Sequence, residues 1–479
     1  MPVLSDLEPR EVFAWFERLC AIPHGSHHAK AISDYLVAFA RERGLACRQD
    51  AANNVVIRKA ASAGYENAPV VMLQGHIDMV CEKDADCGKD METEGLDLFV
   101  DGDVIGARGT TLGGDDGIAV AMALAVLDAD DIPHGPLECV FTADEEVGMI
   151  GARALDASDL KAKYLINIDS EEEGVLTVSC AGACRTLCTL PVTRAPFDGQ
   201  TLRVRISGLV GGHSGEEIHK GRANANLLLG RALDEMSRAG ALRLIRVSGG
   251  AKDNAIPREA EAVVRTGDAA ALRGAVEALA AALRAEYHAA DGHITVTVTE
   301  TDDGLTPMDA ASTERAITLL CAPNGVVEMS MDVPGLVQTS LNLGRLTSDE
   351  ASLRASFMIR SSINSQKNAV ASRLARLAEA LGGQTELDSD YSAWPYRPES
   401  PLRDRVAEVF YEQYGEKPRI AALHAGLECG ILSGKLPELD CISLGPDLTD
   451  IHTPRERLHI ASTERTWRLL LGTLKRLDA

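Results

Sequence analysis

The segment Val70–Val80, VVMLQGHIDMV, constrains the fold more than any other stretch of the chain. Val70 to Leu73 are apolar without alternation, so the strand they form is covered on both faces, as inside an α/β sheet. Gly75 ends the run, and His76 and Asp78 follow at once. Two polar groups are thereby placed at the carboxyl end of a buried strand, where open α/β sheets form their crevice. Leu137–Thr142 repeats the pattern before Asp144, Glu145 and Glu146, and Leu165–Ile168 repeats it before Asp169. The glycine-rich turn ARGTTLGG delivers Asp115 and Asp116 to the start of an apolar helix.

Around this centre the periodicity predicts helices over Pro9–Ala21 and Ala29–Arg43, then short strands over Ala46–Gln49 and Asn54–Arg58. Cys81–Val104 reads as a polar loop holding at most one hairpin. Composition shifts at Thr193–Gln200, and from there to about Asp390 the strands alternate polar and apolar residues, with alanine-rich helices between them. The proline-rich segment Trp394–Pro401 closes that region. After it, helix Leu402–Tyr414 and strand Cys441–Leu444 resume the first pattern. The expected fold class is α/β: a catalytic domain with a mixed, mostly parallel sheet over residues 1–195 and 396–479, and an inserted α+β lid over 196–395, whose recurring helix-then-strands pattern suggests two related halves.

The bulk numbers exclude some partners. With 48 basic against 71 acidic residues, the net charge of −23 disfavours nucleic acid and anionic membrane surfaces. No run of about 18 apolar residues is present, so no spanning helix is expected. MPVLSDLEPREVF has neither a basic nor an apolar leader region, and with eleven scattered cysteines this points to the reducing cytoplasm. Cys180, Cys184 and Cys188 are evenly spaced, but they lie in an apolar, strand-like segment where small thiols pack, so packing rather than zinc binding is expected of them.

Five residues just beyond strands or glycine turns are candidate metal ligands: His76, Asp115, Glu146, Asp169 and His452. Imidazole and carboxylate donors suit zinc, cobalt and manganese. Five ligands are too many for one catalytic ion with an open position, but they suit two ions if one carboxylate bridges. On an extended strand Asp78 would face the same way as His76 and accept its second ring N–H. Glu145 and Glu146 are adjacent and diverge, which leaves one free to move a proton.

The motifs QGHIDMV, ARGTTLGGDDGIA, TADEEVGMIGA, LINIDSEEEG, GGHSGEEIHKGRANAN, NAIPREA, HAGLECG and SLGPDLTDIHTPRERLHI occur in this order along essentially the whole chain. In them the sequence resembles the co-catalytic metallopeptidases that include carnosinase, carboxypeptidase G-type enzymes and acetylornithine deacetylase. The resemblance implies that Asp115 bridges two divalent ions, zinc first and cobalt or manganese as alternatives. His76 and Asp169 would complete one site, Glu146 and His452 the other. It implies Glu145 as general base acting on a water shared by the ions, Asp78 as the orienter of His76, and a cis Asp115–Asp116 peptide. His213 would approach the oxyanion, Asn254 and Arg360 would grip the substrate's terminal carboxylate, and His424 and the turn after it would line the cleft.

The implied activity is hydrolysis of dipeptides, Xaa-His and broader, with closure of the lid limiting substrate length. An N-acyl or N-carbamoyl amino acid hydrolase with the same centre, and a non-catalytic binding homologue, are the rival readings. The implied partner is a small peptide, and a homodimer through the lid stands beside a monomer.

Overall fold

The computed structural model describes residues 2–477, which fall into two compact units. The first runs to Cys180 and resumes over Tyr396–Ala422 and from Leu427 onward; the second comprises Ala181–Pro395 and Leu423–Gly426.

Strand β1 (Ala46–Gln49), β2 (Val55–Lys59), β3 (Val71–His76), the hairpin β4 (Leu98–Asp101) and β5 (Val104–Ala107), β6 (Leu137–Thr142), β7 (Tyr164–Asn167) and β8 (Val175–Cys180) lie in the first unit. Its main sheet has eight strands in the order β1-β2-β6-β3-β7, then Asp440–Ser443, β8 and Arg419–Leu423. The middle of the sheet is parallel: β3 pairs with β6 and with β7, and β7 pairs with Asp440–Ser443, all in the same direction. Antiparallel pairs flank it, β1 with β2 and β2 with β6 on one side and Asp440–Ser443 with β8 on the other. Every residue of β3 and β6 is buried, which is why their sequences carry apolar runs rather than alternation.

Three helices contribute to the core around the sheet: α1 (Arg10–Cys20), α2 (Lys30–Glu42) and α3 (Gly114–Asp128). Helix α3 packs on β3, α1 on α3, and α2 on β1 and β2. Helix α1 turns Val12, Phe13, Phe16 and Leu19 inward, and α2 buries Ile32, Leu36, Val37 and Phe39. Helix α3 is apolar all round, and Ile118 to Leu127 are all buried, as a helix with no polar face must be. Its small residues permit close approach. A Cβ added at Gly75 would lie 2.6 Å from Ala119 Cβ, and one at Gly117 would lie 3.2 Å from Phe16. The β4–β5 hairpin straddles the end of the expected Cys81–Val104 loop and joins Leu448–Thr449 and Arg457–His459 in a separate four-stranded sheet.

The second unit carries a nine-stranded sheet whose recorded pairings are all antiparallel, with apolar alternation such as buried Leu202, Val204 and Ile206. One half takes Gln200–Ser207, helix Ala225–Ala239, Leu242–Gly249, Ala260–Thr266, helix Ala269–Glu286 and Thr295–Glu300. The other takes Gly182–Pro191, helix Ala310–Leu320, Val337–Ser348, Ser352–Ser361, helix Asn364–Ala380 and Gln384–Tyr391. Leaving the shortest strands and Gly325–Met329 aside, each half is a β-α-β-β-α-β unit, and each orders its strands second, third, first, fourth from the line where they meet. The halves join through their second strands, where Ser248 and Gly249 face Thr347 and Leu346.

The first domain boundary differs from the expected one. The chain changes unit after Cys180 rather than near residue 195, because Gly182–Pro191 is hydrogen-bonded along its length to Ser352–Ser361 and Gln384–Tyr391. The return at Tyr396 lies inside the proline-rich segment.

Candidate metal centre

His76 ends β3, Glu145 and Glu146 lie three and four residues beyond β6, and Asp169 lies two beyond β7. Three adjacent parallel strands therefore release these side chains at one edge, the carboxyl edge of the sheet. Asp115 arrives from the first turn of α3, where Asp115 and Asp116 depart from helical geometry and their connecting peptide is cis. His452 comes from the far end of the chain, on a loop where Asp450 and His452 have φ of 51° and 60°.

The side chains converge. His76 Nε2 lies 3.1 Å from Asp115 Oδ1 and 3.7 Å from Asp169 Oδ1. His452 Nε2 lies 3.1 Å from Asp115 Oδ2 and 2.9 Å from Glu146 Oε1. One carboxylate thus turns one oxygen to each imidazole, and each imidazole has a further carboxylate of its own. Among the described residues, His76–Asp116–Asp169, His76–Glu145–Glu146 and Asp115–Glu146–His452 are each close enough to surround an ion.

The electrostatics are those of crowded acids around two imidazoles. Burial alone would raise Asp115, but hydrogen bonds from His452 and His76 hold it below the usual carboxylate range. Burial lowers His76, yet Asp115, Asp78 and Asp169 outweigh it and push the imidazole well up. His452, beside Asp115 and Glu146, is pushed up to about 10. Burial pushes Asp169 well up, with Asp116 and Asp115 adding to it, and pushes Glu145 up to about 8, with Glu428, Glu146 and Asp115 adding to it. Crowded carboxylates that cannot all ionise unaided, directed at imidazoles, fit divalent metal ions by the chemistry of their donors.

Asp78 is buried beside His76, but not as the strand periodicity predicts. The nearest acceptor to His76 Nδ1 is the Asp78 carbonyl at 2.9 Å, with the carboxylate at 3.6 Å. The strand ends at His76, so residues 76 and 78 no longer share a face. The Asp78 carboxylate accepts instead from Glu145 N at 2.9 Å, Glu146 N at 3.4 Å and Ser26 Oγ at 2.8 Å. It holds the Glu145–Glu146 loop as well as flanking the histidine.

Sequence reasoning missed three buried acids. Asp116 Oδ2 accepts from His76 N at 3.2 Å and occupies the space that a Cβ at Gly75 would need. Glu428, of the turn expected to line a cleft, is buried and accepts from Gln74 Nε2 and Thr142 Oγ1. Glu456 accepts from the backbone N–H groups of the turn preceding Asp115. For Asp116 and Glu428 the nearest signal was a glycine-rich neighbourhood; Glu456, in the charged stretch HTPRER, carried none.

The other candidates lie in the second unit. Arg360, on Ser352–Ser361, is 6% exposed; its Nη2 is 3.5 Å from His213 Nε2 and its Nη1 donates to Tyr391 Oη at 3.3 Å. Its Nε has no hydrogen-bond partner among the described residues. His213 is lowered by burial and by Arg360. His424 is buried with Nε2 2.7 Å from Ser340 Oγ, and burial, with Arg360 adding to it, pushes it down to about 3. Asn254 is exposed, and its carbonyl accepts from Ser214 N at 2.9 Å. Cys180, Cys184 and Cys188 are buried, and burial pushes Cys184 up to about 11 and Cys188 up to about 12, so both are protonated thiols at neutral pH.

The model of peptidase family M20/M25/M40 matches residues 72–476. The cytosol non-specific dipeptidase of Escherichia coli K12 is 39% identical over the full length of both chains. Among solved structures, the aminoacylhistidine dipeptidase of Vibrio alginolyticus superposes with a TM-score of 0.92 at 38% identity, covering 98% of this chain and 97% of its own. The aminopeptidase PepT of Bacillus cereus, 15% identical over 99% of this chain and 100% of its own, matches with a TM-score of 0.56 and shares the fold.

Proposed function

The chain belongs to peptidase family M20/M25/M40, and from that premise we propose that it is a metal-dependent dipeptidase acting on Xaa-His and other dipeptides. The carrying observation is the Asp115 carboxylate set between His76 and His452, with one oxygen toward each ring. The names of the Escherichia coli and Vibrio alginolyticus relatives support the substrate class, and the former supports a cytoplasmic location.

Two divalent ions, zinc first, would be held by His76, Asp115 and Asp169 on one side and by Asp115, Glu146 and His452 on the other. Such a pair polarises a carbonyl and makes water acidic at neutral pH. Glu145 takes the proton from the attacking water and returns it to the leaving amine. Burial and neighbouring carboxylates raise its affinity for a proton, which suits a group that must accept one from water and pass it on. Asp78, through its carbonyl at His76 Nδ1 and its carboxylate at Glu145 N, fixes the ligand and the base together. From the second unit, His213 is assigned to the oxyanion, Arg360 and Asn254 to the substrate's carboxylate, and His424 to the cleft lining. The unpaired Nε of Arg360 supports its share, since a buried guanidinium N–H seeks an acceptor.

Substrate profiling of the zinc-loaded protein tests the reading. Xaa-His dipeptides should be cleaved into free amino acids. Turnover of acetylated or carbamoylated amino acids with dipeptides untouched would establish the rival hydrolase, and no metal-dependent hydrolysis of any of them would establish a binding protein.

A further inference from the structure

Glu456 is 2% exposed and far in sequence from Asp115, yet its carboxylate gathers the turn that presents Asp115. Oε2 accepts from Leu112 N at 2.7 Å and Gly113 N at 3.1 Å; Oε1 accepts from Gly114 N at 2.8 Å and, more weakly, from Asp115 N at 3.4 Å. These are backbone donors at the start of α3, which the helix itself leaves unpaired. Gly113 sits at φ 67°, and a Cβ at Gly114 would come within 2.7 Å of Leu448 Cδ2 and 3.2 Å of Glu456 Oε1.

Glu456 also closes the loop that carries His452. Its own N–H donates to the Thr453 carbonyl at 3.0 Å, and Thr453 Oγ1 donates to the Asp450 carbonyl at 2.8 Å. One residue therefore links the backbone turn that presents Asp115 to the loop that carries His452.

We propose that Glu456 is a positioning residue for both metal sites: by clamping the 112–115 turn to the 450–456 loop, it sets the aim of both Asp115 oxygens and the distance to His452. The proposal rests on the two-metal reading above. It differs from a role in general stability because it predicts that the two sites weaken together. Glu146 touches only one of the two imidazoles, so its loss should empty a single site.

The test is titration of metal-stripped protein with Co2+, followed by its visible d–d spectrum and by equilibrium dialysis, alongside the thermal midpoint of the stripped protein. Glu456→Gln keeps the shape but turns an N–H2 toward two backbone N–H groups. The control is Glu138→Gln, in another buried carboxylate that accepts from backbone N–H groups, Lys161 at 2.9 Å and Ala162 at 3.0 Å, away from the ligands. The wild-type protein should bind two Co2+. Glu456→Gln should lose about 10–100-fold in affinity at both sites, the range for residues that orient ligands, with an altered spectrum. Glu138→Gln should lower the midpoint without changing Co2+ affinity.

Wild-type protein that binds fewer than two Co2+ would defeat the two-metal reading itself. Two tightly bound Co2+ with an unchanged spectrum in Glu456→Gln, or weakening of one site alone, would overturn the positioning role. If Glu456→Gln does not fold, Glu456→Asp decides. Its charge is kept but it is one methylene too short to span the turn, and it should show the same paired weakening; unchanged Co2+ binding there would overturn the proposal equally.

Discussion

At the residue scale, adjacent Glu145 and Glu146 are separated by what each side chain faces. Glu146 Oε1 is 2.9 Å from His452, whereas Glu145 is held at its backbone by Asp78, and its carboxyl is the proposed proton carrier. Glu145→Gln should reduce kcat by about 10²–10⁴-fold while metal content stays at the wild-type level, since general-base catalysis contributes on that scale. Loss of metal on this substitution, read by elemental analysis, would transfer Glu145 to the ligands. A second prediction concerns His424. Its folded-state value near 3 lies below the ~6.5 of a free imidazole. Between the two values the unfolded chain binds a proton that the folded chain refuses, so stability falls as pH drops from about 6.5 toward 3 and is untouched by this group at higher pH. Compared with His424→Gln, the wild-type protein should lose an extra ~2 kcal/mol of unfolding free energy between pH 7.5 and pH 5, measured by denaturant titration. A difference that stays constant over that interval would mean that His424 accepts a proton in place.

At the element scale, the junction of β3 with α3 carries the site. A Cβ at Gly75 would lie 2.5 Å from Asp116 Oδ2 and 2.6 Å from Ala119 Cβ, so Gly75→Ala must push strand and helix apart just where His76 and Asp115 meet. The expected cost is about 1–3 kcal/mol, as for other overpacked cores, with weaker zinc binding in the same variant. Wild-type zinc affinity would show that the two elements yield elsewhere. This scale also shows why some features were legible in sequence and others were not. Buried parallel strands announce themselves as apolar-rich runs without alternation, so β3, β6 and β7 and the acids beyond them could be read directly. The aim of Asp78 could not, because it depends on the strand stopping at His76. Glu456 was hidden because its work is to accept backbone N–H groups from a turn about 340 residues earlier, and nothing in local composition marks that. Gly182–Pro191 fell inside the expected first domain because period and apolarity say that a strand is buried, not which neighbours bury it.

At the scale of the whole molecule, the first unit brings the proposed metal ligands together from five separate stretches of chain, and the last stretch, with His452 and Glu456, is contributed after the entire second unit has been traversed. Ligands so dispersed gain from bound ions a crosslink that the chain alone lacks, so zinc should raise the thermal midpoint of the first unit; a midpoint indifferent to zinc would contradict that coupling. The ordered motifs made the family legible from sequence, and 39% identity over the whole chain to the Escherichia coli cytosol non-specific dipeptidase places it there. The measurement that tests the central claim most directly is hydrolysis of an Xaa-His dipeptide by metal-stripped protein as zinc is added stepwise. Activity should be absent at the start, rise with added metal and level off at two equivalents per chain. Undiminished hydrolysis by the stripped protein, or none at any zinc level, would contradict the account.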